Sequence, residues 1–122
     1  MAGKQHWYFA DGYLPAASAP GAAMEAHEAL MILNLNPNGV TISVTIYFSD
    51  REPLRNVALR VEAERVVSFR LDKPDEFGGA VIPRLTQYAL AIHASHPVVC
   101  QFGRLDTTQS AMSYYVGIGV GE

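Results

Sequence analysis

The chain of 122 residues contains a single cysteine. A lone thiol cannot close an internal disulfide, so the core must hold the fold, and a reducing compartment is expected. Cys100 lies in the apolar run Pro97-Val98-Val99-Cys100, a context that favours a buried, inert thiol over a nucleophile. Charge is also sparse: charged residues make up 17%, with 9 basic against 12 acidic and a net charge of −3. That balance supplies no general attraction to nucleic acid or anionic lipid. No window approaches the roughly 18 apolar residues of a membrane span. The first residues hold one lysine and then Gln5-His6-Trp7-Tyr8, without the apolar run of a signal peptide. A cytoplasmic protein with no membrane insertion is expected.

The usual catalytic signatures are missing too. Gly117-Ile118-Gly119-Val120-Gly121 is followed by no helix and cannot be a dinucleotide loop. There is no Gly-x-Ser-x-Gly elbow. His27-Glu28 lacks the second histidine of a His-Glu-x-x-His motif. His93 and His96 would point to opposite faces of a strand, so a surface role outweighs metal binding. Asp11, Glu28, Asp50, Glu52 and Asp106 are dispersed, and their spacing marks no acid–base pair. No enzyme activity, cofactor or metal is expected.

What the chain does have is apolar alternation. Apolar residues reach 49%, enough that part of the surface is expected to be hidden in an oligomer. Val40, Ile42, Val44, Ile46 and Phe48 fall at every second position between polar residues, the period of a half-buried strand. The strand ends in Ser49-Asp50-Arg51-Glu52-Pro53. Further strands are expected at 5–10, 26–35, 57–61, 67–71, 98–102 and 111–120; 85–94 reads as helix or strand, with Thr86, Tyr88 and Ile92 tilting it to strand. Asp11-Gly12 reads as a turn, 13–23 and 72–83 as long loops, and 103–110 as a polar segment. Segment 26–35 has residues that favour helix, but a strand closing on Val40 through Asn38-Gly39 fits better. Gly117 and Gly119 on one face suggest close approach of another backbone. About eight short strands in residues 1–122, with no linker, predict a single all-β domain, a sandwich or barrel.

Three polar clusters stand out. Trp7 to Pro15 sets aromatic faces beside Asp11, a combination suited to stacking on a sugar ring, although Trp7 and Phe9 also suit a core strand. His27 and Glu28, with Asn34, form the second; on a strand the first two face opposite ways. The third is Gln101-Phe102-Gly103-Arg104-Leu105-Asp106 with Gln109, where Arg104 offers a planar donor fork for a carboxylate, phosphate or vicinal hydroxyls, or simply pairs with Asp106. Arg51, Arg60, Arg65 and Arg70 could form a positive stripe or an ordinary solvated face.

In order along the chain, Phe9-Ala10-Asp11-Gly12-Tyr13-Leu14-Pro15, His27-Glu28, Ile32-Leu33-Asn34, Thr45 to Pro53, Pro97 to Gln101, and Arg104-Leu105-Asp106 with Gln109 resemble the cyanobacterial sensory rhodopsin transducer family. The resemblance covers nearly the whole length; the 72–83 loop and the Gly-rich tail match it poorly. It implies an all-β antiparallel sandwich of jelly-roll character, soluble, assembled as a homotetramer, and non-enzymatic. It implies signal relay, and in relatives without a rhodopsin partner a small-molecule ligand, carbohydrate favoured. The ligand-facing residues it implies are Asp11, His27, Glu28, Arg70, Gln101, Arg104, Asp106 and Gln109. The alternative is an adaptor whose only ligands are proteins or DNA, with the net charge weighing against DNA. A hydrolase or isomerase built on His27 and Glu28 ranks last, since no nucleophile–base–orienter set is visible.

Overall fold

The computed structural model describes residues 2–18, 24–107 and 113–122. Eight strands follow one another: β1 (Lys4–Tyr13), β2 (His27–Asn34), β3 (Val40–Phe48), β4 (Leu54–Val61), β5 (Arg65–Arg70), β6 (Gln87–Asp106), β7 (Ser113–Gly117) and β8 (Val120–Gly121). Every pairing is antiparallel. The all-β, antiparallel, eight-strand fold expected from the alternation is what forms.

The two leaves share one strand. The first part of β6 lies between β1 and β3, giving the order β4-β3-β6-β1-β8. Its second part lies between β2 and β7, with β5 beyond β2. The inner faces meet: the Phe9 ring of the first leaf sits 5.9 Å from the Phe102 ring of the second. Residues from both leaves make one hydrophobic cluster, in which Val40, Val44, Ile46, Leu30 and Ile32 are completely buried. Burial of each such side chain contributes about 1.5–3 kcal/mol.

The hairpin expected between 26–35 and Val40 does not form, since β2 pairs with β5 and β6 and β3 with β4 and β6, and the last strand is split into β7 on β6 and β8 on β1. Three more expectations need correction. The segments expected at 85–94 and 98–102 are not separate strands: one strand, β6, runs through both from Gln87 and takes in residues 103–106 of the polar segment, while Leu85 and Thr86 precede it. Pro97 is tolerated because it falls where partners change. The pairings with β3 end at Ala94 and those with β2 begin at Val99, while β1 skips from His93 to Val98. A residue without an N–H costs little in such an irregular stretch. Second, Asp11-Gly12 does not turn the chain. Ala10 and Asp11 form a bulge in β1, between the pairs Phe9↔Leu90 and Gly12↔Tyr88. A Cβ on Gly12 would lie 2.6 Å from the Tyr88 ring, so this crossing needs glycine. Third, what approaches the C-terminal glycines is not backbone. A Cβ on Gly119 would meet the Phe9 ring at 2.5 Å, and one on Gly117 would meet Phe102 at 3.2 Å.

Candidate functional site

The inward row of β2 reads Glu28, Leu30, Ile32, Asn34, all with no exposed surface. Two apolar residues are thus flanked by two buried polar ones. Asn34 is fully used by backbone groups and by the Asn36 side chain. Its Nδ2 donates to the carbonyls of Asn38, Val61 and Glu62 at 2.9, 3.2 and 3.0 Å. Its Oδ1 accepts from the backbone N–H and side-chain Nδ2 of Asn36 at 2.9 and 2.7 Å. This end of the row is structural.

The other end is charged. Glu28 and Arg104 are register partners across β2 and β6. Arg104 Nε donates to Glu28 Oε2 at 2.7 Å. Glu28 Oε1 accepts from the Tyr88 hydroxyl at 2.6 Å and from the Tyr13 N–H at 3.0 Å. The β1 bulge closes at Gly12, adjacent to Tyr13, the residue whose N–H reaches the carboxylate. On the other side, the Arg104 guanidinium lies over the Tyr115 ring of β7, 4.8 Å from its centre. Burial opposes charge on Arg104, but the hydrogen bond and negative charge of Glu28 outweigh it and raise its pKa. Burial and the adjacent carboxylate hold the Tyr88 hydroxyl protonated well above its usual range.

One atom of this arrangement is left over. Arg104 Nη2 is buried and has no hydrogen-bond partner among the described residues. A buried donor without an acceptor costs about 1–3 kcal/mol, more when charged. Arg104 also forms part of the wall of an open concavity of about 350 Å³, with Tyr13, Pro15, Ala16, Leu85 and Asp106. Leu85 has φ of +59° and is 62% exposed. A branched apolar residue held there is backbone strain at the rim of a cavity, a pairing that recurs at functional sites.

Arg84 anchors the same wall. It donates to the carbonyls of Pro15 and Ala26 at 2.8 and 3.0 Å and pairs with Glu25 at 2.9 Å and Asp72 at 3.4 Å. Asp72, nearly buried, also takes a two-pronged contact from Arg70, both arms at 2.7 Å. Burial opposes ionisation of Asp72, yet its bonds with Arg70 prevail and its pKa is lowered.

The expected site residues therefore divide. Glu28 and Arg104 touch, and Asp106 lines the same concavity. Asp11 is exposed, and its charge acts on Arg104 in the same sense as Glu28. Arg70 belongs to the Asp72 cluster. His27 faces away from Glu28, with Nδ1 2.8 Å from the Glu25 carbonyl, so the two do not form a catalytic pair. Gln101 is exposed on the outer face of β6. Gln109 lies outside the described residues. Trp7 is not in the concavity; its Nε1 donates to the Lys4 and Val98 carbonyls. The arginine stripe dissolves into local contacts: Arg51 with Asp50, Arg60 with Glu62, Arg70 with Asp72, and Arg65 with backbone carbonyls. Sequence reasoning missed Tyr88, Tyr115 and Arg84. Tyr88 sat inside a strand signal, where an aromatic reads as core.

Comparison with known proteins agrees with this fold. The family model described as Anabaena sensory rhodopsin transducer matches residues 2–120. The chain belongs to this family. The matched span includes the 72–83 loop and most of the Gly-rich tail, which the motifs alone had left poorly matched. The structure titled Anabaena sensory rhodopsin transducer is 33% identical, with 83% of this chain and 96% of that chain covered and a TM-score of 0.71. The crystal structure of Thermotoga maritima 1070 is 29% identical, covering 100% of this chain and 97% of that one, with a TM-score of 0.87. None of the curated proteins compared matches the chain. Among the described residues, no helix is long and apolar enough to cross a membrane.

Proposed function

We propose that the chain is a non-enzymatic relay module. It holds a small polar ligand, carbohydrate-like, in the concavity beside Arg104 and passes occupancy to a signalling partner. The observation that carries this reading is the buried, partnerless Nη2 of Arg104 beside the saturated Glu28 carboxylate. Glu28 and Tyr115 hold the guanidinium in place, so a ligand hydroxyl or carboxylate meets a donor already oriented. Asp106, two residues further along β6 on the same wall, offers an acceptor, and Tyr13 offers a ring for stacking. Relay is supported by family membership and by the position of Arg104 on β6, the strand common to both leaves. The working unit in this reading is a cytoplasmic homotetramer.

Calorimetric titration against a panel of neutral sugars and sugar acids tests the reading. The expected result is saturable heat for at least one member, weakened about tenfold or more in Arg104→Lys, since charge-assisted bonds contribute about 1.5–3 kcal/mol. Lysine keeps a cation for Glu28 while removing Nη2. No heat across the panel, or equal binding in the variant, would overturn it.

A further inference from the structure

On the outer face of the first leaf, far along β6 from Arg104, two histidines meet. His6 on β1 and His93 on β6 are register partners. Their Nδ1 atoms are 3.3 Å apart, and their ring centres 4.5 Å apart with a 41° angle between planes. The nitrogens are closer together than the rings, so the two rings diverge away from them. His93 does not work with His96, whose Nδ1 faces the Ser95 hydroxyl at 3.3 Å.

Two ring nitrogens this close require something between them. One ring can donate an N–H to the other across this distance, the neutral tautomers permitting. The same spacing also suits a metal ion in place of the proton. Zinc–nitrogen bonds of about 2.0–2.1 Å to two nitrogens 3.3 Å apart subtend about 105–110°, the tetrahedral angle. We propose that His6 and His93 together chelate a divalent transition-metal ion of the zinc, nickel and copper class through their Nδ1 atoms. Imidazole pairs select these ions over magnesium and calcium, which prefer oxygen.

The neighbourhood suits an exposed, partly open site. Among the described residues no group of three or more histidine, cysteine, aspartate or glutamate side chains converges, so water completes the coordination. Ser43 pairs in register with His93 on the same face, and a shallow hollow of about 220 Å³ lined by Thr41, Ser43, His93 and Ser95 leaves room for it. On the other side Glu122 exchanges backbone hydrogen bonds with His6 at 3.1 and 2.9 Å. Its carboxylate accepts from the Tyr8 hydroxyl at 3.1 Å, one residue pair from the metal position.

The test is titration of the tag-free chain with zinc chloride, followed by calorimetry and by histidine side-chain NMR. The expected result is one zinc per chain, with the Nδ1 signals of His6 and His93 shifting together. His6→Gln and His93→Gln should each weaken binding about tenfold or more while leaving the circular dichroism spectrum unchanged. His27→Gln and His96→Gln should bind as the parent does. Absence of saturable binding, undiminished affinity in both His6→Gln and His93→Gln, or shifts confined to other histidines would overturn the assignment.

Discussion

Glu28 is the residue on which the site turns. It is completely buried, and three groups donate to it: the Tyr88 hydroxyl, the Tyr13 N–H and Arg104 Nε. Removing one member of a buried ion pair strands the other, which costs about 3–5 kcal/mol. Glu28→Ala is expected to lower unfolding stability by that amount in urea titration, and a loss below about 1 kcal/mol would contradict the geometry. Tyr88 gives a pH signature. Its folded-state pKa is raised, by burial first and then by Glu28. The folded state therefore keeps the proton longer than the unfolded chain. This contribution is fully present below the unfolded tyrosine value of about 10, and is lost as pH rises from there through the folded value. Unfolding measured from pH 9 to 12 should show a fall that is shallower in Tyr88→Phe than in the parent. Identical slopes would place the Tyr88 hydroxyl in water. Glu28 was readable as a candidate through the His27-Glu28 cluster and the family resemblance that includes it. Its partner Tyr88 was not, since a phenol that binds a carboxylate and one that fills the core look alike in sequence.

At the scale of elements, periodicity located the strands but not their continuity. The Val40–Phe48 alternation became β3, and the ambiguous 26–35 segment became β2. Two punctuation signals misled. Pro97 marks the change of partners inside β6, and Asp11-Gly12 marks a bulge inside β1. Both residues perturb backbone locally, as expected; whether a perturbed strand ends or continues depends on the neighbouring strands, which local sequence does not encode. The C-terminal strands present an apolar edge: Tyr114, Val116, Ile118 and Val120 are 56, 45, 95 and 67% exposed. Such a surface is a contact surface in the homotetramer reading. Ile118→Asp combined with Val120→Asp is expected to shift light-scattering mass from tetramer toward smaller species at equal concentration. An unchanged mass would place the interface elsewhere, and a parent already monomeric would remove the tetramer.

For the whole molecule, the decisive feature is that β6 crosses from one leaf to the other. It carries Tyr88 on its first part and Arg104 on its second, and Glu28 of β2 binds both. Residues 16 apart on a single strand cannot touch a common carboxylate unless the sheet folds over on itself. That folding is why Tyr13, Glu28 and Arg104 meet, while Trp7, His27 and Gln101 of the same clusters lie elsewhere. The most direct measurement is an NMR titration of the arginine side-chain signals with the sugars and sugar acids of the binding panel. The Arg104 Nη signals are expected to move together with the Tyr13 and Leu85 amides, while Arg51 and Arg60 stay fixed. Shifts confined to other arginines, or none at ligand saturation, would contradict a receptor site at Arg104.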